Sequence, residues 1–201
     1  MSNNNQDDNK KTINQNDDLN QKKLIGSFLS QLDLFKTLSQ AELTRICNKA
    51  KVLKYNIGQA ISKTDYISSN LLVIVEGESR LIGEINGNND SLVKLGQGSI
   101  IGLSSILNGQ PCENVIASQE LKAISIPDEC FLEAYKSNND FSSYCNSKLL
   151  PADIFLISKI LIERSPRIDI NTVAAFSVVA KFAKIFDIKS GEKAKIKNDL
   201  F

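Results

Sequence analysis

The spacing of apolar residues changes twice along the chain. Leu24, Ile25, Phe28, Leu29 and Leu32 recur at three- and four-residue steps, which predicts a helix. A break follows around Leu34 to Leu38. Ser39 then reads as an N-cap with Glu42 three residues later, a capping box for a helix from about Gln40 to Ala50 that buries Leu43, Ile46 and Cys47. From Val52 to Ile126 the pattern becomes short apolar runs, several ending in glycine: Ile57-Gly58, Leu71-Leu72-Val73-Ile74-Val75-Glu76-Gly77, and Leu92-Val93-Lys94-Leu95-Gly96-Gln97-Gly98-Ser99-Ile100-Ile101-Gly102. Glycine tolerates positive φ, so it marks where a strand stops and turns. Arg80–Ile85 and Ser91–Leu95 flank an Asn86-Gly87 pair, a hairpin signal. Val115–Ala117 and Leu121–Ile126 supply further strands, with a short helix expected over Gly102–Leu107. The fold class predicted is mainly β with flanking α: an eight-stranded antiparallel β-roll of the jelly-roll kind, plus C-terminal helices.

Four segments follow from the same pattern. Residues 1–22 are dominated by Asn, Gln, Asp and Lys, too few apolar groups to offset ordering entropy, so a disordered tail is expected. Residues 23–137 hold the roll and the helices leading into it. Residues 138–188 form a helical segment: Phe131, Leu132 and Tyr135 mark the helix before it, Phe141 and Tyr144 one inside it, and Pro151 to Ile162 another. Ser165-Pro166 breaks that helix. A last helix from about Asn171 to Phe186 is apolar on more than one face and must bury itself against its own domain, a second copy or a partner. Residues 189–201 are basic and Gly-interrupted, a linker or truncated end.

The 201 residues carry a net charge of +1, so general polyanion binding is not indicated and no nucleic-acid partner is expected. There is no His, which removes the commonest general base and metal ligand. No catalytic or metal site is expected, and the Asp7-Asp8 and Asp17-Asp18 pairs fall in the polar tail. Cys47, Cys112, Cys130 and Cys145 fit no zinc or C-x-x-C spacing, so reduced thiols in a cytoplasmic protein are the default. No apolar stretch reaches the roughly 20 residues of a membrane span.

Several of these pieces, in order from about Leu34 to Tyr135, resemble the cyclic nucleotide-binding domain family. Gly58-Gln59-Ala60-Ile61 resembles its Gly-x-x-Ile turn, Val73-Ile74-Val75-Glu76-Gly77 its strand-glycine motif, and Gly96 to Gly102 the entrance to its phosphate cassette. The resemblance implies a ligand site at Gly102, Leu103, Ser104, Ser105, Pro111 and Cys112. It also implies a Glu for the ribose and an Arg for the phosphate. This chain has Leu103 at the first position and Pro111 or Cys112 at the second, depending on register; no Arg occurs from Leu81 to Glu163, and no Lys between Lys94 and Lys122. The amides of Ser104, Ser105 and Ile106 remain as anion donors, against the plainer reading of a turn that closes the roll. Cys112 is either a redox-sensing thiolate or a small packing residue, and adjacent Glu113 disfavours the thiolate.

Gly109 to Ser118 and Leu121 to Pro127 resemble more narrowly the N-terminal domains of cyanobacterial ABC exporters of peptides or proteins. Three functions follow. The first is a non-catalytic regulatory or docking module with a degenerate site and no cofactor. It would belong to or act on such an exporter, contacting transporter components or itself through the C-terminal helices and staying cytoplasmic. The second is a working cyclic-nucleotide sensor, for cAMP or cGMP, that uses an altered pocket. The third is a catabolite-activator-type regulator lacking its DNA-binding domain, since Lys189 to Phe201 is too short for a recognition helix.

Overall fold

The computed structural model describes residues 4–85, 88–164, 172–183 and 185. Eight strands form: β1 (Lys51–Tyr55), β2 (Ala60–Ser62), β3 (Asn70–Glu76), β4 (Ser79–Ile85), β5 (Asn88–Leu95), β6 (Ile100–Ile101), β7 (Val115–Ala117) and β8 (Leu121–Pro127). They make two four-stranded antiparallel sheets, ordered β1-β8-β3-β6 and β2-β7-β4-β5, which face each other without joining into a closed barrel. The β4–β5 pairing runs from Ser79↔Leu95 to Ile85↔Asn88. β5 therefore starts three residues before the expected Ser91, and the predicted turn pair, Asn86 and Gly87, lies outside the described residues.

The apolar run of β3 does not alternate because both of its faces are covered. Leu71 and Val73 pack into a cluster with the helices, while Leu72 and Ile74 pack into the roll interior. β8 repeats the division, with Ile124 and Ile126 on the helical side and Leu121 and Ala123 inside. The central strand pair is thus the shared wall of two cores, and period-2 geometry sorts its side chains between them.

Among the described residues, seven α-helices flank the sheets: α1 (Asn4–Leu29), α2 (Gln40–Lys49), α3 (Leu103–Asn108), α4 (Asp128–Ser137), α5 (Asn139–Asn146), α6 (Pro151–Arg164) and α7 (Thr172–Phe182). α1 extends back to Asn4, into the stretch whose composition predicts disorder. No Gly or Pro occurs before Gly26, and Lys22 pairs with Asp18 at 2.6 Å one turn away. Leu19 and Leu24 stay exposed; packing begins at Ile25 and Leu29. The expected capping box of α2 is present, with Glu42 N–H donating to Ser39 Oγ at 3.3 Å and Ser39 N–H donating to Glu42 Oε2 at 2.7 Å. Leu43, Ile46 and Cys47 are the residues it buries.

α6 returns to the roll. Ala152 belongs to the interior cluster, and a Cβ on Gly83 of β4 would sit 2.6 Å from the Phe155 ring. Glycine at that position is what lets α6 approach β4 so closely. α7 spans Thr172–Phe182, shorter than the expected helix; Phe176 is buried, whereas Val178 and Phe182 are about half exposed, at 55% and 52%. Phe186, the Ser165-Pro166 break and the basic tail lie outside the described residues.

Asn138 ties the two ends of the helical layer together. Its Oδ1 accepts the Phe141 N–H at 3.0 Å to cap α5, and its Nδ2 donates to Thr37 O at 3.1 Å and to Glu42 Oε2 at 3.2 Å. Asn138→Ala should therefore cost about 1–2 kcal/mol, a lost cap plus part-buried hydrogen bonds, in urea unfolding monitored by circular dichroism. A loss below about 0.3 kcal/mol, within ordinary surface variation, would show that the bridge contributes nothing.

Candidate functional site

The predicted site residues lie around α3, which connects β6 of the first sheet to β7 of the second. Gly102 precedes the helix with φ of 93°, and a Cβ there would sit 2.9 Å from Asn70 O. Only glycine enters this turn without strain. Leu103, expected to stand where a ribose carboxylate would, is 3% exposed and packs into the helical-layer cluster, not the roll interior. Ser104 and Ser105 are buried at 1% and 2% exposure.

The loop from Gly109 to Asn114 folds back onto these serines. Cys112 N–H donates to Ser105 Oγ at 3.2 Å, and Cys112 Sγ lies 3.2 Å from Ser104 Oγ and 3.5 Å from Ser105 Oγ. Cys112 is thus the residue that touches both serines; Pro111, the other register for the missing arginine, is half-buried beside it. Burial pushes the Cys112 thiol up, and Glu113 and Asp153 push it further, against hydrogen bonds from Ser104 and Ser105. A thiol so placed stays protonated and packs.

Two carboxylates complete the cluster. Glu113 is 6% exposed; its Oε2 accepts the Ser105 N–H at 3.3 Å and the Ser105 hydroxyl at 3.0 Å. Burial raises its pKa above the ordinary glutamate value. The backbone N–H groups of Ser105 and Gly102 and the Ser105 hydroxyl hold it down, and Asp153 adds to the rise. Asp153 comes from α6. Its Oδ1 accepts from the Ser104 hydroxyl and from Asn108 Nδ2, the latter at 2.8 Å, and its Oδ2 accepts the Leu150 N–H at 3.1 Å. Among the described residues neither carboxylate has an ion-pair partner. The cluster therefore presents negative charge and acceptors around α3, the reverse of what a phosphate needs.

The pattern reading named Gly102, Leu103, Ser104, Ser105, Pro111 and Cys112, and the structure brings all but Leu103 to one place. It missed the roles of Glu113 and Asp153. A carboxylate directly after the position where a cation is missing was a usable signal for the first. Nothing local marked Asp153, which sits 49 residues from Ser104. A groove of about 400 Å³ lies elsewhere, between α1 and α2, lined by Lys22, Ser27, Gln40, Thr44 and Cys47; it contains none of the cluster residues.

Two opposed antiparallel sheets, a short helix between β6 and β7, and helices packed before and after define a cyclic nucleotide-binding fold. No protein-family model matches the chain. The regulatory subunits of cAMP-dependent protein kinase from Mycosarcoma maydis and from Mucor circinelloides f. lusitanicus are similar to it. Each is 28% identical, over 95 and 105 residues, which is 47% and 52% of this chain. The chain spans only 18% and 25% of their lengths. Among solved structures, the regulatory subunit of a cAMP-independent protein kinase A from Trypanosoma brucei superposes with a TM-score of 0.61 at 17% identity. The match covers 72% of this chain and 53% of that one, and a mutant of that subunit was solved with cAMP in its A site. These likenesses carry the fold; no transporter is among them. No helix among the described residues is long and apolar enough to cross a membrane.

The raised pKa of Glu113 has a measurable sign. Glu113 ionises near the ordinary glutamate value of 4.5 in the unfolded chain and only at higher pH in the folded one, so the folded state holds more protons between the two. Wild-type stability should fall relative to Glu113→Gln as pH rises from below 4.5 through the folded pKa, then level off. Paired urea titrations across that window check this; a pH-independent difference, or one of opposite slope, contradicts it.

Proposed function

We propose that the chain is a non-catalytic regulatory module of the cyclic nucleotide-binding fold whose roll does not respond to cyclic nucleotides. The observation that carries this reading is Glu113 at the Ser105 N–H, in a cluster with no cation. Removing one partner of a buried charge pair costs about 3–5 kcal/mol, on the order of a hundred- to thousandfold in affinity. The cassette position implied for Arg is Pro111 or Cys112, neither of them a cation, so this loss applies in either register. α6 also closes on the roll, with Ala152 in the interior cluster and Phe155 against Gly83 of β4. The regulatory-subunit names of the similar proteins support a regulatory role over a catalytic one.

The partner is the finer part of this proposal. The half-exposed apolar residues Ile157, Ile160 and Leu161 of α6, Val178 and Phe182 of α7, and Ile185 beyond it are the surface on which a partner would sit. An exporter component is the candidate drawn from the Gly109–Ser118 resemblance, and that resemblance alone supports it. A kinase catalytic subunit is the candidate drawn from the similar regulatory subunits.

The sensor reading stands second, favoured by the likeness to regulatory subunits of cAMP-dependent kinases. Calorimetric titration separates the two. The proposed module should bind neither cAMP nor cGMP more tightly than about 100 μM, taking a hundredfold loss from a micromolar parent. Micromolar affinity for either would overturn it in favour of the sensor.

A further inference from the structure

Among the described residues, Glu113 is the only acidic or basic side chain in the buried set; the other buried polar residues are serines. A carboxylate is costly to place there unless donors meet it, and an apolar residue of similar volume would be cheaper. Its donors are the Ser105 N–H and hydroxyl, with the Gly102 N–H also favouring its charged form. These are groups at the start of α3, where the family resemblance places the ligand anion. Ser105 Oγ also accepts the Cys112 N–H at 3.2 Å and lies 3.5 Å from Cys112 Sγ, and Asp153 adds a second carboxylate through Ser104. The missing arginine removes an attraction; Glu113 is a separate feature with its own consequence.

We infer that Glu113 is the residue that sets the specificity of this roll against anions. Its carboxylate is a resident anion that holds the Ser105 donors, so a cyclic phosphate or other small anion finds them taken and meets negative charge. The inference rests on the reading that α3 and its following loop correspond to a phosphate cassette. It goes beyond that reading because it predicts that restoring the cation alone is futile. An arginine introduced at Cys112 is adjacent to Glu113 and would pair with it, neutral as a pair and unavailable to a ligand.

A double-mutant cycle on the full chain tests this, with cAMP as the probe in calorimetry: wild type, Cys112→Arg, Glu113→Ala, and the two combined. Cys112→Arg should change cAMP affinity by less than about threefold, because the new cation is consumed within the chain. The combination should bind at least about tenfold more tightly than Cys112→Arg, the two changes being strongly non-additive. If Glu113→Ala does not give a cooperative melt, Glu113→Gln in the Cys112→Arg background replaces it. Gln keeps volume and acceptor but not charge, and should gain at least about threefold. The inference is overturned if Cys112→Arg alone matches the combination, since the absent arginine would then be the whole barrier. It is equally overturned if neither combined variant gains. Wild type binding cAMP at micromolar affinity would instead sink the proposed function. A silent wild type with a flat cycle would sink this inference and leave that function standing.

Discussion

A carboxylate leaves water only where donors wait for it, and Glu113 meets that condition at the first turn of α3. The Ser105 N–H and hydroxyl converge on Oε2, and Gly102 can turn into the helix at φ of 93° because it has no side chain to strike Asn70 O. The rest of the mouth is arranged around that contact. Cys112 is drawn against Ser105 by its own N–H, and the loop that carries it leads directly into β7, whose Val115 reaches the roll interior. One buried acid thus fixes the path of the cassette between α3 and the second sheet. On the proposed reading, the same acid holds the donors a phosphate would need.

The C-terminal helices take part in the same arrangement. Asp153 accepts hydrogen bonds from Ser104 and Asn108 of α3 and from the Leu150 N–H at the start of its own helix. Ala152, one residue before it, is in the roll interior, and Phe155, two after it, packs on Gly83. α6 is therefore held by polar contacts to the cassette and by apolar contacts to both β4 and the interior. α7 packs on α6 and buries Phe176, but it turns Val178 and Phe182 outward. A domain closed by its own side chains on one side, with an apolar helical face on the other, suits a module that acts through a partner.

The roll itself was readable from pattern because its signals are local. Apolar runs, turn glycines and the Ser39–Glu42 box each act within a few residues. β3 stood in the sequence as an unbroken apolar run at Leu71–Val75, but its burial on both faces, and which side chain joins which core, needed the helices in place. The cassette was readable as a departure: no cation at Pro111 or Cys112, and Leu103 where an acid was implied. What replaces the lost chemistry was readable only in part. The Ser104–Asp153 contact joins residues 49 apart, and spacing carries no trace of such a pairing. Glu113 was in view, but only as a neighbour that raises a thiol pKa; its role depends on the loop folding back onto Ser105. Leu103 was placed in the ligand position by alignment, while the structure turns it to the helical layer, where Leu71 and Val73 already provide an apolar surface. At the N-terminus the polar composition predicted disorder, and α1 instead reaches Asn4 with its early apolar residues, Leu19 and Leu24, still in solvent.

The central claim is that Glu113, as a buried carboxylate, occupies the donors at the start of α3. The most direct measurement is an NMR pH titration that follows the Glu113 side-chain carboxyl carbon and the Ser105 amide proton together. The account predicts one shared transition, at a pH above the ordinary glutamate value, because burial outweighs the donors and the amide senses the charge it binds. A Glu113 carboxyl that titrates like a solvated glutamate, with the Ser105 amide unmoved through its transition, would contradict it.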